Sequence, residues 1–401
     1  MVGAAPRAAS TGAPMKKLVV CCDGTWNWPD QDHPTNVVKT VRALAPDDAG
    51  GRPQIVYYDA GVGSSGSRLR RLLDGALGTG LSQNVQDAYR FLADNYREGD
   101  QLYFLGFSRG AYTVRSLAGL IGQVGLLHKG DMHLFPDAYA LYRTPRKTST
   151  EKARRAVAER AFLDKLLGRG PGRDGHEDRR RFPLITFLGV WDTVGSLGIP
   201  AGTLPLVGRL WPNFHDTELN CFVENAYQAL AVDEQRRMFE PAVWRKRTTD
   251  EPPADPRRAY VRPSEQRVEQ VWFPGAHSNV GGGYADAGLS DLAWGWMLDR
   301  ARRHGLAFDE AYLRGKSRGT ALGALVESRD GLPWRAWSRY DRPLCAGETE
   351  RLHRAVGERA RAGPVDGRPP FEPHPYRPQG LEALLRRDPS RPAIEHWSEA
   401  G

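Results

Sequence analysis

Gly106-Phe107-Ser108-Arg109-Gly110 decides the reading of this chain because of what stands on either side of it. The residues before it, Leu102-Tyr103-Phe104-Leu105, are apolar without a break, as a strand buried on both faces should be. After it, Ala111, Val114, Leu117, Ala118 and Ile121 recur at helical spacing. A Gly-x-Ser-x-Gly pentapeptide alone is weak information in a chain with 44 glycines. Between a strand and a helix it becomes a sharp turn, which forces the serine into a strained backbone conformation and exposes its hydroxyl above the sheet. Glycine on both sides lets neighbouring backbone approach closely. The turn also puts the Arg109 N–H at a helix N-terminus, where partial positive charge can stabilise an oxyanion.

Working outward, further apolar runs end in Gly, Asp or Ser: Lys17 to Cys22, Gln54 to Tyr58, Gln101 to Leu105, Leu184 to Val190 and Val268 to Phe273. Helical patterns separate them. Leu81, Val85, Ala88, Tyr89, Leu92 and Tyr96 mark one, Glu151 to Leu167 another and Leu289 to Arg303 a third. This alternation predicts the α/β class, with a mostly parallel central sheet and helices on both faces. We read residues 1–15 as a disordered tail and 16–305 as one catalytic domain. Insertions at about 126–182 and 196–267 are expected to form a lid, and 306–401 a partly irregular extension packing on or wrapping the domain.

Composition narrows the class. With 40% apolar and 26% charged residues the 401-residue chain has the make-up of a water-soluble globular protein, and no apolar run approaches the roughly 18 residues of a membrane span. Residues 1–15 lack a secretory apolar core, and four cysteines make no disulfide framework, so a cytoplasmic setting is expected. The formal charge of +8 admits peripheral contact with an anionic membrane. The basic stretch Arg143 to Arg181 has no aromatic interleaving, so no nucleic-acid partner is expected.

A serine hydroxyl needs a base, and the base an orienting carboxylate. In Phe187-Leu188-Gly189-Val190-Trp191-Asp192 an apolar run ends in an acid at the same sheet edge as Ser108. In Val271-Trp272-Phe273-Pro274-Gly275-Ala276-His277 another releases a histidine into a Gly-rich loop. Ser108, Asp192, His277 is the chain order of the α/β-hydrolase triad, which uses neither metal nor organic cofactor. His128, His133 and His176 precede Asp192, and His215 lies in the second insertion. Cys22-Asp23-Gly24-Thr25 reads two ways. The backbone N–H of Gly24 or Thr25 would supply the second oxyanion donor, or Asp-Gly-Thr after a strand would mark a haloacid dehalogenase type phosphatase, whose nucleophilic Asp is here Cys21.

Seven segments in order carry a resemblance over about Lys16 to Arg303. They are Cys22-Asp23-Gly24-Thr25-Trp26-Asn27, Pro34-Thr35-Asn36-Val37, Tyr58-Asp59-Ala60-Gly61-Val62-Gly63, the serine pentapeptide with Ala111, Trp191-Asp192-Thr193-Val194-Gly195, Asp233-Glu234-Gln235-Arg236 and Gly275-Ala276-His277-Ser278-Asn279-Val280-Gly281-Gly282-Gly283-Tyr284. The chain resembles the bacterial α/β-hydrolase family that includes the catalytic domain of type VI secretion phospholipase effectors of the first lipase class. The resemblance implies a Ser108, Asp192, His277 triad and lipase or phospholipase activity, and it leaves delivery by a type VI secretion system open. Gln228 departs from the His that relatives often carry there. Against a lipid ester stand a small soluble ester, amide or thioester as substrate, and a catalytically idle basic binding protein on the same scaffold.

Overall fold

The computed structural model describes residues 15–24, 30–61, 79–145, 148–168, 177–194, 218–253, 255–316, 319–330, 335, 338–362, 364–365 and 374–387. Its centre is β1 (Lys17–Cys22), every residue of which is buried, lying parallel between β2 (Gln54–Asp59) and β3 (Gln101–Phe107). Beyond β3 follow β4 (Ile185–Trp191), β5 (Asn225–Ala231), β6 (Arg267–Phe273) and β7 (Glu350–Leu352), giving one seven-stranded sheet in which every pairing is parallel. Parallel strands need crossovers, so both faces of such a sheet become covered.

Alternation along the strands divides the core. Leu18, Val20, Leu102 and Phe104 turn to one face, where they meet α2 (Thr79–Asn95) and α3 (Arg109–Val124) through Val85, Tyr89, Leu92, Val114, Leu117 and Ile121. Val19, Cys21, Tyr103 and Leu105 turn to the other, against Val37 of α1 (Asn36–Ala43) and Trp294, Trp296 and Met297 of α7 (Gly288–Arg303). This is the α/β-hydrolase-like arrangement expected from the alternation of runs. The first insertion contributes α4 (Phe135–Arg143) and α5 (Ser149–Leu166), the latter started by a capping box of Thr148 and Glu151.

The second insertion needs a correction. The 196–267 stretch holds β5, paired along its whole length with β6 and through Ala226 to Ala229 with β4, so its later part belongs to the sheet. Residues 195–217, and with them the lid expected there, lie outside the described residues, as does the 1–14 part of the expected tail. The C-terminal stretch also reaches the sheet. It supplies β7, α8 (Glu310–Leu313), α9 (Arg354–Arg361) and α10 (Gln379–Arg387), and Leu344, Leu352, Val356 and Leu381 pack on Leu230 and Trp272 of β5 and β6. Among the described residues all four cysteines are free thiols, and no helix is long and apolar enough to cross a membrane.

Candidate active site

Parallel strands present their carboxyl ends along one rim, where the loops of an open α/β sheet build binding sites. Ser108 stands there at the β3 to α3 turn, with φ 56° and ψ −116°. A non-glycine residue at positive φ is strained, and such strain gathers at functional sites. The turn is tight enough that a side chain at position 110 would meet the Cys22 carbonyl oxygen at 2.0 Å, so β1 and α3 touch only because Gly110 has none. Ser108 donates its N–H to Trp191 O at 3.1 Å, which sets it beside the end of β4.

Asp192 follows Trp191, also at positive φ (38°) and with no exposed surface. Its N–H reaches Ala229 O at 2.7 Å, and its Oδ1 accepts the Ala231 N–H at 3.0 Å, so β5 fixes both its backbone and its carboxylate. Oδ2 takes His277 Nδ1 at 2.6 Å. The imidazole belongs to the first residue of α6 (His277–Gly281), only 5% exposed. Phe107 lies 4.6 Å from it and Phe239 4.9 Å, ring centre to ring centre, the latter nearly perpendicular. With Nδ1 held by the carboxylate, Nε2 is the nitrogen left for proton exchange.

A carboxylate without solvent would ordinarily be driven to its neutral form. Burial does push Asp192 that way, but Arg342 overrides it with the His277 bond, holding the carboxyl well below the usual range. Arg342 Nη1 sits 2.6 Å from Oδ1 and Nη2 3.1 Å from Oδ2, and neither partner's side chain has exposed surface. The guanidinium also donates to Ala231 O and Phe239 O. One side chain therefore ties the carboxylate, β5 and the ring packed on His277 together.

Sequence reasoning missed Arg342, since it falls in the Arg- and Pro-rich C-terminal stretch. It also gave no task to Asp233-Glu234-Gln235-Arg236, which shapes the histidine loop. Asp233 Oδ2 accepts the Gly275 N–H at 2.6 Å, and Glu234 Oε2 accepts the His277 N–H at 3.3 Å while paired with Arg236. Of the expected oxyanion donors, Arg109 is the first residue of α3 as required. The Gly24 N–H is instead taken by Asp23 Oδ1 at 2.7 Å, because a carboxylate one residue away is the nearest acceptor. Thr25 lies outside the described residues.

This geometry sits within a recognisable sequence class. The family model for the T6SS phospholipase effector Tle1-like catalytic domain matches residues 16–300. The chain belongs to that family. A Tle1-like domain is a lipase- or phospholipase-like hydrolase, and Arg342 lies beyond the matched segment. An uncharacterised protein of Saccharomyces cerevisiae is 32% identical over 239 residues, 56% of this chain and 32% of that protein; the chain thus spans about a third of this curated relative's length. Two solved structures are similar. An uncharacterised protein from Pseudomonas aeruginosa has 16% identity, a TM-score of 0.39 and coverage of 77% of this chain and 48% of that one. The Tle1 effector bound to the VgrG spike of the type VI secretion system has 18% identity, a TM-score of 0.37 and coverage of 69% and 52%.

Proposed function

We propose that this chain is a serine hydrolase that cleaves carboxylic esters through an acyl-enzyme, with a lipid ester as substrate. The observation that carries the reading is the buried 2.6 Å bond between His277 Nδ1 and Asp192 Oδ2, on the rim where Ser108 is held at positive φ. Ser108 Oγ attacks the carbonyl carbon as His277 Nε2 takes its proton. The Arg109 N–H stabilises the resulting oxyanion. His277 then returns the proton to the leaving alcohol, and a water molecule, deprotonated by the same nitrogen, frees Ser108. Asp192 remains ionised throughout, fixing the tautomer and stabilising the imidazolium. Family membership favours a phospholipid over a small soluble ester.

A fluorophosphonate probe tests the nucleophile directly. It should label Ser108 in the native chain and fail on Ser108→Ala and on unfolded protein. Labelling elsewhere, or ester turnover retained by Ser108→Ala, excludes this mechanism. Phosphatidylcholine vesicles compared with monomeric short-chain esters test the substrate, with faster turnover expected on the vesicles.

A further inference from the structure

One face of α3 lines a cavity of about 490 Å³, a size typical of small-ligand sites. Tyr112, one helical turn past Ser108, stands at one end, and Gln123 near the other. The opposite wall comes from the 218–258 region, and α4 and α5 close a third side. Five arginines border this space, Arg115, Arg143, Arg155, Arg247 and Arg258, against three glutamates, so its wall carries excess positive charge.

Three of these arginines are incompletely used. Arg115 lies over the Trp244 ring, 4.6 Å from its centre, and gives one hydrogen bond, to Ala242 O. Among the described residues no carboxylate is within ion-pair distance of Arg115 or Arg258. Arg258 donates to the Gly122 and Gln123 carbonyls at the end of α3, while its Nε is buried with no partner among the described residues. Arg247, whose side chain is 9% exposed, reaches Glu218 only at 3.9 Å; its Nη1 is likewise buried without a partner there. Burial weakens proton binding by both Arg115 and Arg258; no carboxylate offsets it at Arg115, and at Arg258 the more distant Asp255 and Glu159 offset it only in part.

A buried guanidinium N–H without an acceptor costs about 1–3 kcal/mol. Arg258 Nε and Arg247 Nη1 have no surface that a ligand reaches, so what an anion meets in this cavity is the excess positive charge of the wall and the Arg115 guanidinium, and planar arginine forks match phosphate oxygens better than any other common side chain. We propose that this cavity is an anion site that takes a phosphoryl group, held by Arg115, Arg247 and Arg258. The Ala242 N–H bonds Thr193 O, next to Asp192, so the site adjoins the catalytic rim, yet it uses none of the triad. Its oxygens can come from a lipid headgroup or from a soluble phosphate ester.

Inorganic phosphate titrated calorimetrically into the full chain at constant ionic strength is the first probe. Binding should weaken at least about tenfold in Arg115→Gln and in Arg247→Gln, the loss expected when a charge-assisted hydrogen bond is removed. Sedimentation with phosphatidylcholine vesicles, with and without phosphatidylglycerol, separates the sources. Arginine-dependent capture by the anionic vesicles assigns a lipid headgroup, and arginine dependence confined to inorganic phosphate assigns a soluble ester. Phenylglyoxal modification of the unaltered chain covers variants that do not fold, since phosphate but not chloride should shield Arg115 and Arg247. No phosphate binding, binding indifferent to both substitutions, or no shielding overturns the site. Fluorophosphonate labelling of Ser108 in the same variants should be unchanged, so failure here and failure of the hydrolase reading are told apart.

Discussion

Two aspartates end neighbouring parts of the same sheet, both fully buried, and the protein treats them in opposite ways. Asp192, after β4, faces a guanidinium and an imidazole and is kept ionised. Asp23, after β1, is met by the Gly24 N–H, the Thr35 hydroxyl at 2.5 Å and the Tyr58 hydroxyl at 3.2 Å, but by no cation among the described residues. Burial therefore wins, and with the nearby Asp59 charge adding repulsion, Asp23 is pushed up to about 7. Hydrogen bonds alone do not replace a counter-ion in a dry site. The carboxylate bonded to His277 has the counter-ion, and the one that supports a turn does without.

The comparison breaks most visibly at Asp192. Asp192→Asn should lower turnover on the order of 10⁴-fold by releasing the imidazole tautomer, and it should also cost stability, because Arg342 is left buried without its counter-charge. Steady-state ester hydrolysis measures this, and a variant that loses stability while keeping turnover makes Asp192 a turn-capping residue only.

Arg342→Met comes next, because it strands a buried charge. It should cost about 3–5 kcal/mol in urea denaturation and lower turnover as well. The pH dependence gives a sharper reading. Asp192 has a folded pKa below its unfolded one, so its stabilisation is present above the unfolded value of about 3.9 and is lost as pH falls through the folded value. In Arg342→Met that acid-side loss should shrink. An unchanged acid limb would mean Arg342 is not what keeps the carboxylate charged.

Asp23 should show the opposite slope. Its folded pKa of about 7 exceeds the unfolded value of about 3.9, so the folded chain holds the extra proton between these limits and stability falls as pH rises through them. Asp23→Asn removes that dependence. Compared at pH 5 and 7.5, the variant should lose less stability than the parent chain. The smallest effect belongs to Thr35→Val, which deletes the Asp23 hydrogen bond and the α1 cap on the Val38 N–H at once. About 1 kcal/mol is expected by thermal denaturation, with esterase activity retained.

Why the sequence yields Ser108, Asp192 and His277 but not their supports follows from what each looks like locally. The three candidates stand at ends of apolar runs, where a polar residue followed by a turn is conspicuous. Asn225-Ala226-Tyr227-Gln228-Ala229-Leu230-Ala231 lacks the β-branched residues and the apolar-polar alternation of a strand, and only its neighbours on both sides make it one. Gln228 sits inside it with both side-chain polar atoms buried and without a partner among the described residues, which no propensity would place there. Arg342 is one of many arginines in a stretch of low pattern content. Nothing nearby separates it from solvated surface, because its partner is 150 residues away. Gly24 shows the converse limit: a donor in the right turn is lost when an adjacent carboxylate competes for it.

Arg342 has a consequence for the order in which the protein is made. Translation produces Ser108, Asp192 and His277 well before Arg342, and β7 later still. A nascent chain that has emerged only as far as α7 has Asp192 with no guanidinium to hold its charge, and a sheet whose β6 edge is still bare. The counter-charge of Asp192 thus arrives only after the segments that carry Ser108, Asp192 and His277 have already been made, so the His277–Asp192 pair matures later than the residues that compose it.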